Sequence, residues 1–145
     1  MILKAAGKLT CTPDLFMFDG NGILHPRKMG IATHASFFLN RPTIGIAKSY
    51  YRIADVSFTS PSNANNFFED IVVGTDVYGR ALRTHKDVKP IFVSCGNYID
   101  LSTATEVTID LINKESRLPI PVRLADMETK RIKRLLVSEQ SNLFP

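Results

Sequence analysis

Apolar residues along the chain form runs of strand length that alternate with segments of helical spacing. Three of the runs are apolar without alternation, and they occupy residues 15–18, 43–47 and 90–94. Continuous apolar runs of this length are typical of strands that are buried on both faces of a sheet. Strands that alternate with helices predict an α/β layer fold.

Three segments have helical spacing, and they cover residues 29–40, 102–113 and 127–140. In the first segment, Ile31, Ala35 and Phe38 recur at the spacing of one helical face, so we expect this face to contact the core. The second segment contains Thr103 and Glu106, which predict a capping box at its start.

Two more segments have the composition of connections between these elements. Residues 57–68 are rich in Ser and Asn and predict an exposed loop. Residues 71–84 contain two apolar segments around Gly79, which predict a hairpin.

Length and charge limit the class of protein. A chain of 145 residues with 44% hydrophobic content is large enough for one domain and too short for two. The net charge of +4 mildly favours an anionic partner, although solubility explains it equally well. The basic run at residues 130–134 fits a solvated helix face better than a nucleic-acid contact.

The cysteines and the apolar segments bear on the cellular compartment. Cys11 and Cys95 have neither metal-ligand spacing nor the number needed for a disulfide framework, so a reducing, cytoplasmic setting is expected. The N-terminal apolar stretch is short for a signal peptide, and no segment is long enough to span a membrane.

The stretch FDGNGILHPRKMGIATH, residues 18–34, carries the candidate chemistry. Asp-Gly and Asn-Gly are hairpin signals, but a helical segment rather than a second strand follows them. Asp19 follows the carboxyl end of a predicted strand, where ligands bind in open α/β sheets, and a carboxylate there can hold Mg²⁺. Gly20 and Gly22 would let the backbone approach a phosphate closely.

Basic and aromatic residues surround this carboxylate in the sequence. Positively charged or proton-transferring groups follow Asp19 and are expected to surround the metal, and they are His25, Arg27, Lys28 and His34. A lone histidine is more often structural, but a cluster at a strand end favours function. Tyr50, in the segment SYYRI, is a candidate for stacking on a base or for a half-buried structural position.

Five segments together resemble the endonuclease V family, which cleaves nucleic acid next to deaminated adenine, the hypoxanthine carried by inosine. They are PDLFMFDGNGILHPRKMGIATH, RPTIGIAKS, ALRT, VKPIFVSCGNYIDLSTA and SRLPIPVRLAD, and they occur in family order over most of the chain. The resemblance implies a three-layer, ribonuclease H-like α/β fold with a mixed sheet and flanking helices. It also implies Mg²⁺ or Mn²⁺ as cofactor, hydrolysis of a phosphodiester by activated water, a role in DNA repair, and inosine-containing DNA or RNA as partner.

The resemblance assigns roles to single residues. Asp19 matches a metal-binding catalytic aspartate, His25 a histidine of the active-site loop, and Lys48 a lysine that binds phosphate or supports the attacking water. A further set is expected to bind substrate, and it comprises Gly20, Gly22, Arg27, His34 and Tyr50.

The chain also departs from the family pattern. Residues 1–145 are expected to form one domain that corresponds to the C-terminal two-thirds of the family fold, without the N-terminal portion and its two metal-binding carboxylates. Asp19 would then be the only family metal ligand, and no other carboxylate is expected to lie near it. Asn97 stands where the family usually has histidine, and an amide cannot transfer protons as an imidazole does. Asp100 and Asp126 are expected to have structural roles at helix starts.

These departures leave the activity open between three alternatives. The chain is a metal-dependent endonuclease, a nucleic-acid-binding remnant without cleavage, or a truncated gene product without activity. The strand at residues 15–19 would lack its neighbour, and an exposed apolar edge pairs or aggregates. A homo-oligomer that covers this edge is therefore expected.

Overall fold

The computed structural model describes residues 2–141 and contains a sheet with helices on both of its faces. The strands are β1 (Phe16–Asp19), β2 (Thr43–Ala47), β3 (Phe67–Val73), β4 (Asp76–Arg83) and β5 (Ile91–Cys95). The helices are α1 (Ile2–Ala6), α2 (Ile31–Leu39), α3 (Leu101–Asp110) and α4 (Ile120–Ser141).

The strands form one mixed sheet in the order β1-β2-β5-β4-β3. β1 and β2 are parallel, and the remaining neighbours pair antiparallel. The predicted α/β fold with a mixed sheet and flanking helices is confirmed. The three apolar runs of the sequence correspond to β1, β2 and β5.

Burial separates the central strands from the edge. Every residue of β2 and β5 is buried, as their continuous apolar runs predict. β1 differs, because its apolar residues are only half-buried and Asp19 is exposed. The reason is position, since β1 lies at the edge of the sheet and has a neighbour on one side only.

Each face of the sheet has its own apolar cluster. The cluster under α3 and α4 includes Ile44, Ile46, Val93, Ala104 and Val122. The opposite face carries a second cluster, which includes Leu24, Ala47, Ile71, Ala81 and Phe92. The sheet is therefore the middle of three layers, with the segment after β1 and helix α2 on one side and α3 and α4 on the other.

The segment after β1 doubles back over the sheet instead of forming a hairpin. The Gly22 N–H donates to Ser94 Oγ at 2.8 Å, and the Ile23 N–H donates to the Cys95 carbonyl at 2.7 Å. The contact is so close that a β-carbon at Gly45 would lie 2.7 Å from the Gly20 carbonyl oxygen. Glycine at position 45 is therefore required by this packing.

Helix α2 presents a different face to the sheet from the one that the spacing predicts. Ala35 is buried as expected, but Ile31 and Phe38 are 44% and 62% exposed. Small side chains face the sheet instead, namely Ala32, Thr33, Ala35 and Ser36. The prediction for Ile31 and Phe38 is wrong because α2 lies too close to the sheet for large side chains. The helix ends as the sequence predicts, at Asn40, which is left-handed with a φ of 48°.

The starts of α3 and α4 both differ from their predictions. Asp100 is the N-cap of α3 and accepts a hydrogen bond from the Thr103 N–H at 2.9 Å, so the predicted capping box is wrong. The structural role expected for Asp100 is confirmed. α4 begins at Ile120 rather than near residue 127, because Pro121 lies in its first turn, where proline is tolerated. Asp126 is therefore inside the helix and not at its start.

The hairpin of β3 and β4 is confirmed, and its turn lies earlier than the apolar pattern indicates. Gly74 occupies the turn with a φ of 66°. Gly79 lies inside β4, where it pairs with Ile71 next to a register shift. Residues 57–66 contain no helix or strand, as their composition predicts, but the predicted loop ends too late, because Phe67 and Phe68 belong to β3.

We expect Gly45→Ala to lower the free energy of unfolding by about 2 kcal/mol or more, because the added methyl group overlaps the backbone after β1. Urea denaturation would measure this loss. Gly74→Asn is the matched control, since position 74 is open and asparagine tolerates a positive φ. A similar loss in both variants would contradict the close packing at Gly45.

Candidate active site

Lys48 joins the carboxyl ends of the two parallel strands. Asp19 is the last residue of β1 and pairs with Ile46, and Lys48 follows the last residue of β2. Parallel neighbours end at the same edge of a sheet, so the two side chains meet there. Lys48 Nζ donates to Asp19 Oδ2 at 2.6 Å. The structure thus brings together two of the three predicted catalytic residues.

A second carboxylate, from α4, reaches the same ammonium group. Lys48 Nζ donates to Asp126 Oδ1 at 2.9 Å, and Lys130 Nζ donates to Asp126 Oδ2 at 2.6 Å. The two carboxylates therefore lie no further apart than the sum of their distances to Lys48 Nζ. Two expectations are therefore wrong. Asp126 does not lie at a helix start, and a second carboxylate does lie near Asp19.

The sequence contained one signal for Asp126. The segment SRLPIPVRLAD ends at this residue, which also stands four residues before Lys130. A helix that starts at residue 120 would place Asp126 inside it, four residues before Lys130 on the same face. The contact itself is a tertiary one, because Asp126 and Lys48 are 78 residues apart.

Hydrogen bonds between opposite charges shift the pKa values of Lys48 and Asp126. Burial lowers the pKa of Lys48, but hydrogen bonds to Asp19 and Asp126 outweigh it, so the pKa is raised above its usual 10.5. Hydrogen bonds from Lys130 and then Lys48 lower the pKa of Asp126 below its usual 3.8. Lys48 is therefore a cation and Asp126 a carboxylate at neutral pH.

The donor set fits a divalent cation that prefers oxygen. Mg²⁺ is commonly bound in proteins by one or two carboxylates together with water and substrate phosphate, and Asp19 and Asp126 offer such a pair. Among residues 2–141, no group of three or more His, Cys, Asp or Glu side chains could hold a metal ion. A cation bound by both carboxylates would have to displace Lys48 from between them.

His25 lies on the segment after β1 and has a defined orientation. Its Nδ1 accepts a hydrogen bond from the Arg27 N–H at 3.2 Å. Its ring stacks on the Tyr51 ring, with 5.8 Å between the ring centroids and an interplanar angle of 8°. An Nδ1 that accepts places the proton of the neutral ring on Nε2. His25 therefore presents an Nε2–H donor.

The predicted substrate-binding residues are spread over several surroundings. His34 is exposed on α2 with its ring edge-to-face against Phe38 at 5.4 Å. Arg27 is exposed. The Tyr50 hydroxyl donates to the Val56 carbonyl at 3.0 Å, and Tyr51, not Tyr50, contacts His25. Among the described residues, no hydrogen bond, ion pair or ring contact joins these three side chains to Asp19.

The two glycines next to Asp19 have packing roles in the structure. The Gly20 N–H donates to the Ile46 carbonyl, and the Gly22 N–H is used by Ser94. Gly22 is buried, and a β-carbon there would overlap the Cys95 carbonyl. Their roles in substrate binding stay predictions.

Two other residues considered from the sequence lie away from Lys48. Lys28, expected near the metal, instead pairs with Asp76 on the hairpin at 2.6 Å. Asn97 Nδ2 donates to Ser36 Oγ at 2.8 Å, and the Thr43 N–H donates to the Asn97 carbonyl at 3.3 Å. Thr43 begins β2 whereas Lys48 follows its end, so Asn97 is at the opposite end of the sheet, about 16 Å away by strand rise.

Fold and site together define the class of protein. Solved endonuclease V structures have a ribonuclease H-like fold, and this sheet with its flanking helices matches them. The family model for endonuclease V matches residues 1–127. The chain belongs to the endonuclease V family.

Known relatives show how much of the family this chain represents. The endonuclease V of Bacillus thuringiensis subsp. konkukian is 61% identical over 137 residues, which are 94% of this chain and 58% of that protein. The crystal structure of the Bacillus subtilis endonuclease V superposes with a TM-score of 0.94 at 56% identity, over 95% of this chain and 58% of that one. The chain thus spans a little under three-fifths of the length of these relatives.

A more distant relative has been solved with nucleic acid. The Ciona intestinalis endonuclease V matches with a TM-score of 0.73 at 29% identity, over 92% of this chain and 60% of that one. It was crystallised as a D234N variant in complex with a 23mer DNA containing an inosine followed by a ribo-adenosine.

Within residues 2–141 of this chain, no helix is both long and apolar enough to cross a membrane.

We expect Lys48→Met to raise the pKa of Asp126 towards 3.8, because one of its two hydrogen-bonded cations is lost. Carboxyl NMR titration would measure the change, with exposed Lys133→Met as a control that leaves the pKa as it is. The lowered pKa of Asp126 stabilises the fold above its usual pKa, and this contribution is lost as the pH falls through the folded pKa. An unchanged Asp126 pKa in Lys48→Met would contradict the observed pairing.

Proposed function

We propose that the chain is a metal-dependent endonuclease that hydrolyses a phosphodiester bond beside inosine in DNA or RNA. The observation that carries the proposal is the placement of Asp19 and Asp126 on one shared lysine at the carboxyl end of β1 and β2. Membership of the endonuclease V family supports the reaction, and the Ciona relative, which was crystallised with inosine-containing DNA, supports the substrate class.

Asp19 and Asp126 would hold Mg²⁺ or Mn²⁺. The bound metal would supply Lewis-acid stabilisation of the phosphate charge and a water of lowered pKa. Lys48, displaced from its carboxylates, binds a phosphate oxygen or supports the attacking water. The raised pKa of Lys48 keeps it cationic for either role.

His25 and the predicted substrate-binding residues act around this centre. The Nε2–H of His25 donates to a phosphate oxygen or to the leaving oxygen. Arg27, on the segment after β1, and His34, on α2, are exposed, so both would be free to contact the phosphate backbone of a bound nucleic acid. Gly20 and Gly22 leave the backbone uncovered at two positions after Asp19, and Tyr50 lies two residues after Lys48 in the sequence.

One observation favours a second function, which is binding without cleavage. The described residues offer two carboxylates for a metal and no third, and in-line displacement requires the metal to be well fixed. The basic groups that would contact a strand do not depend on the metal. Metal-dependent nicking separates the two functions.

The remaining proposals concern organisation and setting. We propose that residues 1–145 form one domain corresponding to the C-terminal two-thirds of the family fold. We also propose a role in DNA repair in a reducing cytoplasm. Cys11 and Cys95 are both free, which supports the second proposal.

We propose in addition that two copies of the chain pair through the free edge of β1. The N–H groups of Phe16 and Gly20 bond to the segment of β2, so by strand alternation those of Met17 and Asp19 point to the free side. Unpaired backbone groups beside half-buried apolar residues form a template for another strand.

For the reaction, we expect wild-type protein to nick an inosine-containing oligonucleotide in Mg²⁺ or Mn²⁺ and to lose this activity in EDTA. Asp19→Asn and Asp126→Asn should each lower the nicking rate on the order of 100-fold or more, because each removes a metal-binding charge. Asp110→Asn, an exposed position on α3, is the matched control.

The outcomes separate the alternatives. Wild-type protein that is folded and binds the oligonucleotide without nicking it would establish the binding function instead. Nicking that survives in Asp19→Asn and Asp126→Asn would place the metal elsewhere.

For the β1 edge, we expect a dimer at micromolar concentration by sedimentation velocity. Met17→Pro should shift the protein to a monomer, because proline removes an outward N–H but leaves the bonds to β2 intact. Circular dichroism would verify its fold. A monomeric wild-type protein would exclude the pairing.

A further inference from the structure

A cavity of about 390 Å³ lies on the side of Lys48 away from the Asp19 strand. It opens at the same edge of the sheet, between the end of β2 and the start of β5, where Ala47 pairs with Phe92. Its walls include Lys48, Tyr50, Phe58, Lys89, Phe92 and Arg117. The proposed active site does not use this cavity, although Lys48 lines it.

The cavity is cationic, and two of its cations have no acidic partner. Lys48 is paired with carboxylates, but among the side chains that the structure describes, no carboxylate lies within 4 Å of the Lys89 ammonium or the Arg117 guanidinium. Lys89 is exposed and Arg117 is half-buried. An unpaired, partly desolvated guanidinium favours an anion nearby.

Backbone carbonyls fix Arg117 in place without neutralising it. Its Nη1 donates to the carbonyls of Lys89 at 3.2 Å and Pro90 at 2.8 Å, and its Nη2 donates to the Lys48 carbonyl at 3.1 Å. A guanidinium has five N–H donors, so two are left after these three bonds. The group ties the ends of β2 and β5 together and keeps donors for a ligand.

Aromatic rings form the other wall of the cavity. Phe58 and Phe92 pack edge-to-face with 4.9 Å between their ring centroids. The centroid of the Tyr50 ring lies 5.3 Å from that of Phe58 and 5.5 Å from that of Phe92. The Tyr50 hydroxyl is bonded to the Val56 carbonyl, so this ring is held in place. Phe92 is only 3% exposed and supports the other two rings from below, so the half-buried rings of Tyr50 and Phe58 form the apolar surface that a base would contact.

We propose that this cavity binds one nucleotide of the cleaved strand, with its phosphate at Lys89 and Arg117 and its base against the aromatic wall. The proposal rests on the proposed function, because it makes the cavity the neighbour of the scissile position. Lys48 lies between the two, so one strand can reach both. The volume fits a small ligand site. Base binding by ring contact predicts little sequence preference.

The test is a titration of the ¹⁵N-labelled protein with a 5′-phosphorylated thymidine dinucleotide, followed by amide shifts. We expect the largest shifts at Ser49, Tyr50, Lys89 and Phe92, and weaker binding of the dinucleotide without its 5′-phosphate. Lys89→Gln should raise the Kd about fivefold or more, because a charge-assisted contact is lost. Lys114→Gln, an exposed lysine outside the cavity, should leave the Kd unchanged.

Three results would overturn the proposal. These are shifts that scatter over other basic surfaces, a Kd that Lys89→Gln leaves at the wild-type value, and inorganic phosphate that binds as tightly as the dinucleotide. Nicking of an inosine-containing oligonucleotide, measured on the same proteins, reports the proposed reaction separately. Dinucleotide binding without nicking would refute only the reaction, whereas nicking without dinucleotide binding would refute only the cavity.

Discussion

The parallel pairing of β1 with β2 determines where Asp19 and Lys48 lie, and the packing of α4 then adds Asp126 to them. It brings the carboxyl ends of both strands to one edge of the sheet. Asp19 Oδ2 and Lys48 Nζ therefore lie 2.6 Å apart. The chain that leaves β1 then has to return over the sheet, and it can do so only because residues 22 and 45 have no side chain. One strand pairing and two glycines thus fix both the site and the layer that covers it.

Lys48 has two roles that depend on the same geometry. Without a ligand it neutralises Asp19 and Asp126, whose charges would otherwise repel each other across a short distance. In the proposed reaction a divalent metal would take the place of this cation between the two carboxylates, and the ammonium would then be free to bind phosphate. The same lysine lines the cavity beside β5, so the groups proposed to bind the strand and those proposed to cleave it are continuous along the sheet edge.

Features that depend on local sequence could be predicted, and features that depend on distant packing could not. The buried runs of β2 and β5 and the strand-end positions of Asp19 and Lys48 follow from the apolar pattern. The buried face of α2 does not, because its distance from the sheet decides which side chains fit. Asp126 was misplaced because helix α4 starts seven residues earlier than its apolar spacing indicates, and its contact with Lys48 joins distant parts of the chain.

The central claim is that Asp19 and Asp126 form one cation site. A titration with Mn²⁺, followed by paramagnetic broadening of amide signals, tests it most directly because it needs no substrate. Broadening centred on both residues, lost in Asp19→Asn and in Asp126→Asn, is the predicted result. Broadening that persists in Asp126→Asn, or that centres on another part of the chain, would contradict the claim.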